Sequence, residues 1–533
     1  MDAAVKTHHI PLDPKGNPLN PWSIAITVAL TTFMEVLDIS IANVSLRHIA
    51  GDLSAGQDES TWVLTSYMVS NAIVLPMSGW LSSLLGRRRF YLSCVALFTI
   101  SSLLCGLSPN LPLLILFRTL QGIGGGGLQP SSQAILADTF PPKKRGMAFA
   151  VYGITTVLAP AIGPTVGGWI TDNFTWRWIF LINVPVGILS MYFSSRLVFD
   201  PPHFAEQRKA LLGRGFKIDY IGFALLALGF GCLQIMLDKG QEDDWFDSGF
   251  IIIMTFVSAV SLLALPFWEW QQRDPMVDVR LLLKRNFLIS NLLIFMLGFI
   301  LFASTVLLPV FLQTLMGYSA TDAGFVLSPG GVTVLFFMPL IGYMVGRFDV
   351  RHMITFGILC NVVSLYLLAH VDLQTDYWTL ATLRIIQGVG LGFLFIPINT
   401  AAFDQMPMVK SSNASSLINL FRNLGGSVGI SLVQTWLTRG TQQHQADLVT
   451  HITPESTQTQ TTLSNLANHF FAHGSFSADA VLQSKETLYN MVQQQASLLS
   501  FMDDFRRLSM MFLIFIPVVY ILKAPGKKGQ SKS

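Results

Sequence analysis

Residues 24–46 read IAITVALTTFMEVLDISIANVSL, an apolar run that carries two acids, Glu35 and Asp38, near its middle. At 1.5 Å of rise per residue such a helix is ~34 Å long, which matches the hydrocarbon thickness of a bilayer. Glu35 then lies near the midplane with Asp38 one turn beyond, and the i, i+3 spacing sets both carboxyls on one helix face. An ionised side chain at that depth costs at least ~2.5 kcal/mol on insertion scales, a cost that marks a pathway for ions or substrate. The bland alternative is a carboxyl that stays protonated and hydrogen-bonds a neighbouring helix.

The rest of the chain has the same character. Of 533 residues 51% are hydrophobic and 12% charged, about half the charged fraction of a soluble domain, so this is an integral membrane protein. A net charge of +3 on scattered basic residues offers no nucleic-acid surface. Cys94, Cys105, Cys232 and Cys360 sit in separate apolar runs, so neither a disulfide framework nor a metal site is expected. The polar residues before Trp22 lead into a full-length span without a small-residue cleavage site, and no removable signal peptide is expected.

Apolar runs separated by charged or Pro/Gly-containing turns give fourteen expected spans, near 24–46, 62–84, 90–108, 112–138, 147–170, 177–198, 218–238, 249–270, 287–314, 323–345, 352–371, 377–403, 412–437 and 505–523. An even number puts both termini on one side. With the N-terminus inside, 24 of the 34 Lys and Arg are inside, and the outer ones are Arg47, Arg177, Lys239, Arg439, Lys485, Arg506 and Arg507. That bias places both ends in the cytoplasm. The expected order is a tail 1–23, a six-helix bundle 24–198, a linker 199–217, two inserted helices 218–270, a linker 271–286, a six-helix bundle 287–523 and a tail 524–533. The outer segment 438–504 is rich in Gln, Thr, Ser, Asn and His and too polar for a packed core of its own. Within it, 488–505 has the spacing of an amphipathic helix leading into the last span.

The halves repeat. Phe117-Arg-Thr-Leu-Gln-Gly-Ile-Gly-Gly-Gly-Gly-Leu matches Leu383-Arg-Ile-Ile-Gln-Gly-Val-Gly-Leu-Gly-Phe-Leu at an offset of 266, which aligns Arg118 with Arg384 and Gln121 with Gln387. Duplicated bundles with a site between them are a recurrent transporter architecture.

Arg118 cannot readily lose its proton, so within an apolar run it needs a carboxylate, and Asp38 or Glu35 from another span is the candidate partner. Alternatively it snorkels to the headgroups from near its helix end. The glycines after it lack a following Lys-Ser/Thr and do not follow a strand, so they make a thin packing face, not a phosphate loop. Ala159, Gly163 and Gly167 form a small-residue ridge, and Pro160 and Pro164 interrupt the backbone ladder of the same span. That combination suits a helix that rocks against a neighbour.

FRTLQGIGGGG (117–127), LAPAIGPTVGGW (158–169), LDISIANVSL (37–46) and GWLSSLLGRRR (79–89) are similar to the signature segments of the major facilitator superfamily, in the order found in its drug:proton antiporters. LQIMLDKGQEDDWFDS (233–248), DPMVDVRLL (274–282) and FRNLGGSVGIS (421–431) resemble the fourteen-span EmrB/QacA branch, and TFMEVLDISIANV and TWVLTSYMVSNAI its EmrB-type inner-membrane exporters. The resemblance implies an all-α polytopic membrane protein with the major facilitator fold, two six-helix bundles plus two inserted helices. Its bundles would close alternately around a central cavity, with protons moving in as amphipathic toxic compounds move out. The proton-motive force would drive it, without cofactor or metal. A periplasmic adaptor and an outer-membrane channel are the implied partners, beside membrane lipid.

Carried over by motif, Asp38 and Arg118 are proton-coupling residues, with Glu35 assisting. Pro160, Gly163, Pro164, Gly167 and Gly168 form the antiporter hinge, and Gly79, Gly86, Arg87 and Arg347 the cytoplasmic gate. One departure matters: the family places an Asp in the turn before Gly86, where this chain has Ser83 and Leu84, which leaves the usual latch incomplete. The polar residues Asn43, Gln121, Gln129 and Asn399 are the candidates for the cavity wall, amid 39 Phe and 20 Met that suit a greasy, adaptable site.

The same-fold rival is export, or inward proton symport, of one physiological solute such as a siderophore, fatty acid or metabolite. A membrane enzyme is not expected, since no His-Glu-x-x-His or phosphate-loop lysine motif occurs. A non-transporting receptor on this fold is the third class.

Overall fold

The computed structural model describes residues 19–200, 219–272, 274–404, 406–453, 455–473 and 476–523. The two expected tails and the linker 199–217 therefore fall largely outside the described residues. Where the chain is described it is helical, without strands. The first half comprises α1 (Pro21–Val44), α2 (Leu46–Asp52), α3 (Gln57–Ser60), α4 (Trp62–Leu85), α5 (Arg87–Gly106), α6 (Leu111–Gly125), α7 (Leu128–Thr139), α8 (Arg145–Asn173), α9 (Trp178–Leu181) and α10 (Asn183–Leu197). There follow α11 (Tyr220–Lys239), α12 (Gly249–Gln271), α13 (Arg285–Thr314), α14 (Ala320–Met344), α15 (Val350–Leu368), α16 (Tyr377–Phe403), α17 (Ser411–Val449), α18 (Thr457–Ala472), α19 (Ser477–Leu513) and α20 (Phe515–Ile521).

Local chemistry sets many of the helix starts. Asn20, Asn110, Asp219, Ser319, Asp349 and Asp376 each turn a side-chain oxygen onto a free amide of the following first turn, and prolines follow Asn20 and Asn110 in that turn. By length and composition, twelve spans among the described residues are apolar enough to cross a membrane, with α6–α7 and α9–α10 each counted as one. Helices α17 and α19, of 39 and 37 residues, are longer but too polar to join them.

In the first half α1 packs on α8 and α10, and α6 on α4 and α5; in the second α13 packs on α17, and α16 on α14 and α15. Two seams join the halves: α8 lies along α14, and α4 along α17. The second seam is tight near Gly79, where an added Cβ would stand 2.8 Å from the Cα of Asn413. The α11–α12 pair lies against α4 and reaches α17. It is tied to both halves: Lys239 bonds Thr61 and Ser427 donates to Gln234 Oε1 at 2.9 Å, while in the linker after α12 Asp278 pairs with Lys410 at 2.7 Å.

The segment 438–504 departs from its reading as a polar loop with one helix near its end. Helix α17 runs on to Val449, and the helix leading into the last span already starts at Ser477. Between these helices His444 bonds Asp503 at 3.0 Å, and Ser500 donates to the Leu437 carbonyl at 2.9 Å. A polar composition did not exclude helix here because α19 finds a partner in α17.

Candidate functional site

Asp38 and Arg118 form a buried ion pair at 2.6 Å. Helix α1 brings the carboxylate and α6 the guanidinium, both with essentially no exposed side chain. Asp38 Oδ1 accepts from Gln121 Nε2 at 3.0 Å and from Asn183 Nδ2 at 2.7 Å. Arg118 also donates to the Val63 carbonyl and to Gln121 Oε1, at 3.0 and 2.9 Å, and its guanidinium lies 4.5 Å from the Tyr67 ring centroid. Such a cage satisfies an ionised carboxylate at bilayer depth. Of the two readings of Arg118 the geometry takes pairing over snorkelling, with Asp38 as the partner.

Glu35 belongs to a different cluster. Its Oε1 accepts from Gln129 Nε2 at 3.0 Å, while Oε2 makes no hydrogen bond of good geometry among the described residues, although Asn71 stands beside it. Gln129 Oε1 accepts from Arg422 on α17, and Arg422 donates also to Asn419 Oδ1 at 2.5 Å. Asn419 donates to Gln133 Oε1 at 2.7 Å, and Gln133 donates to Asn399. A continuous polar chain thus runs from Glu35 in the first half to three helix-borne residues in the second. The two acids share a helix but not a site.

Between the halves lies a cavity of about 760 Å³ of empty space, counted to its open mouth. Its polar lining includes Asn71, Gln129, Gln234, Arg422, Asn423 and Ser427, set among Met68, Leu301, Phe302 and other apolar side chains. Of the four residues expected in the wall, Gln129 lines it. Asn43 is exposed near the end of α1, Gln121 is enclosed with Asp38, and Asn399 is buried behind Gln133. Helix α8 continues unbroken through Pro160 and Pro164, with Gly163 on Ser40 and Gly167 on Ile41 of α1; Gly168 is buried on the same helix. The prolines therefore lie on the helix that packs against the bearer of both acids.

At the end of the molecule where the gate is expected, an acid comes from another helix. Arg87 pairs with Asp138 of α7 at 2.7 Å and donates to the Ser411 and Ser412 hydroxyls at 3.1 Å, while Ser411 donates to Asp138 at 3.0 Å. Gly86, at φ 88°, turns the chain into α5, where Asp200 accepts from the Arg88 amide at 2.7 Å. Arg347 takes no part: it is exposed and stacked on Tyr343 at 3.9 Å. Breaking a buried pair by removing one partner costs ~3–5 kcal/mol, so Asp138→Asn is expected to open this end of the molecule. Maleimide labelling of Ser416→Cys, whose native hydroxyl bonds Ser78 across the seam at 2.8 Å, should rise in that background. Unchanged labelling would remove the pair from the gate.

Several of these residues left weak traces in the sequence. Arg422 falls within the expected span 412–437, as a cation in an apolar run. Asn183, Gln133, Asn419 and Gln234 are amides with no spacing that marks them, and Asp138 lies far from the turn where an acid was expected.

The sequence matches the Major Facilitator Superfamily over residues 28–430. It is 38% identical to the probable multidrug resistance protein EmrY of Escherichia coli K12, covering 95% of this chain and 96% of that one. It is 36% identical to the fatty acid resistance protein FarB of Neisseria gonorrhoeae, over 95% of this chain and 97% of that one. The multidrug export protein EmrB of Escherichia coli K12 is also 36% identical, with 95% and 96% covered. Among solved structures the human organic anion transporter MFSD10 superposes with a TM-score of 0.58 at 13% identity, over 95% of this chain and all of that one, a likeness of fold alone. Helical halves packed around a central cavity agree with a sequence match that spans most of the chain: it belongs to the Major Facilitator Superfamily.

Proposed function

We propose that this protein exports amphipathic toxic compounds across the bacterial inner membrane in exchange for protons. The observation that carries the reading is the Glu35–Gln129–Arg422 relay, which joins a carboxyl of one half to a cation of the other in the wall of the cavity. While Glu35 is ionised it orients Gln129, whose oxygen in turn orients Arg422, so the wall is organised for substrate. Protonation weakens Glu35 as an acceptor, undoes that order and releases substrate. Proton and substrate are then alternative occupants, which is the minimal requirement for antiport. Asp38 and Arg118 hold α1 in register beside the relay and complete the coupling set. The names of the relatives that describe multidrug export support this substrate class. A susceptibility panel comparing a deletion strain with a complemented one tests it: loss of resistance to several unrelated amphipaths is expected. Loss confined to fatty acids, as the name of the FarB relative suggests for that protein, would favour the single-solute rival.

The same reading gives fourteen spans with α17 and α19 among them, both termini in the cytoplasm, and a helical projection formed by the outer part of α17 with α18 and α19. That projection is the proposed seat of a periplasmic adaptor, which would in turn meet an outer-membrane channel. A reporter fused at Gln460 should read periplasm, and deletion of 445–480 should leave the protein inserted while resistance falls. A cytoplasmic signal at Gln460, or full resistance after the deletion, would count against it.

A further inference from the structure

The internal repeat sets the second half against the first at the ion-pair site. Adding the offset of 266 places Arg384 and Gln387 opposite Arg118 and Gln121, but opposite Asp38 it places Ser304. The structure keeps the donors and lacks the acid. Arg384 and Gln387 are buried on α16, with 5% and 0% of their surface exposed. Arg384 donates from NH1 to Gln387 Oε1, which fixes the amide so that its nitrogen is the free end. Arg384 Nε and Gln387 Nε2 then have no hydrogen-bond partner among the described residues, and no described carboxylate pairs with the guanidinium. In the first half the matching Gln121 Nε2 and Arg118 NH1 both donate to Asp38.

Beside these donors lies a small space, about 280 Å³ when counted out to its mouth and enclosing room for about one water-sized body, separate from the central cavity but sharing Leu301 in its wall. Thr305, Gly330 and Gly331 line it together with Arg384 and Gln387. The Thr305 hydroxyl already donates to the Leu301 carbonyl at 2.6 Å, and an Arg side chain has only donors to offer. A buried guanidinium that cannot lose its proton, an amide nitrogen without an acceptor and an adjoining space describe a site for a negative charge. We infer that Arg384 and Gln387 bind a small monovalent anion, a halide or the carboxylate end of an amphipathic acid, in the place that Asp38 holds in the first half. The inference goes beyond the export reading and does not depend on it.

The test uses the purified full-length protein and reads its thermal unfolding midpoint, with no transport involved. At constant ionic strength, gluconate is replaced stepwise by chloride, bromide, acetate or octanoate. Each tenfold rise of a bound anion above its dissociation constant should raise the wild-type midpoint by a constant increment. Ser304→Asp supplies a carboxylate from the chain itself and should abolish that dependence; Arg384→Met, which removes the charge, should do the same and serves as the blank if the first variant fails to insert. Stabilisation by chloride and bromide alone identifies a halide site. Stabilisation by octanoate at far lower concentration than acetate identifies the headgroup of an amphipathic acid. If no anion moves the wild-type midpoint more than that of Ser304→Asp or Arg384→Met, the inference is overturned.

Discussion

Glu35→Gln is expected to reduce pH-gradient-driven transport in inside-out vesicles to the level of protein-free vesicles, with insertion and the thermal stability of the purified protein retained. Glu35 accepts one hydrogen bond, from Gln129, and has no ion pair among the described residues, so an amide of the same size keeps an acceptor for Gln129 and leaves Arg422 bonded to Gln129 and Asn419, at little cost to the fold. The function changes entirely, because glutamine can neither take up nor release a proton. Substrate binding should survive, since Gln129, Arg422 and the apolar wall remain. Vesicle uptake at wild-type rate in this variant would mean that the proton travels elsewhere.

Asp38→Asn has the opposite signature: it damages the fold first. Arg118 is fully buried, and among the described residues Asp38 is the one carboxylate paired with it. Removing one member of a buried pair costs ~3–5 kcal/mol, because the remaining guanidinium stays charged. Thermal unfolding of the purified variant should therefore fall well below wild type, and less protein should reach the membrane. The double variant Asp38→Asn with Arg118→Gln leaves no unanswered charge and should recover most of the stability. If it recovers transport as well, the pair is structural and lies outside the coupling set. If stability returns without transport, Asp38 and Arg118 contribute to coupling beyond holding α1 in register.

The contrast between these two acids shows what the sequence could and could not reveal. Apolar length located the helices closely: α4 was expected at 62–84 and occupies Trp62–Leu85, and α16 was expected at 377–403 and occupies Tyr377–Phe403. An arginine inside a span demanded a carboxylate, and Asp38 supplies it. The i, i+3 spacing suggested a shared site, yet residues three apart on an α-helix still differ by about 60° around the axis. In a helix surrounded by neighbours, that angle sends Asp38 toward α6 and α10 and Glu35 toward α7. Which neighbour lies at which angle is set by tertiary packing and leaves no local signal. The same holds for Asp138, whose role in the latch depends on where α7 ends relative to the start of α17. Amides such as Asn419 and Gln234 are commonplace in sequence and become informative only when the helices that carry them are placed.

The central claim is that substrate and proton are exclusive occupants of the Glu35 relay. Proton release on adding substrate to the purified protein in weakly buffered solution tests it most directly, using the compound that the susceptibility panel identifies. Wild type should release protons in proportion to the substrate bound, and Glu35→Gln should bind the compound and release none. Substrate binding to wild type without proton release, or equal release from Glu35→Gln, would contradict it.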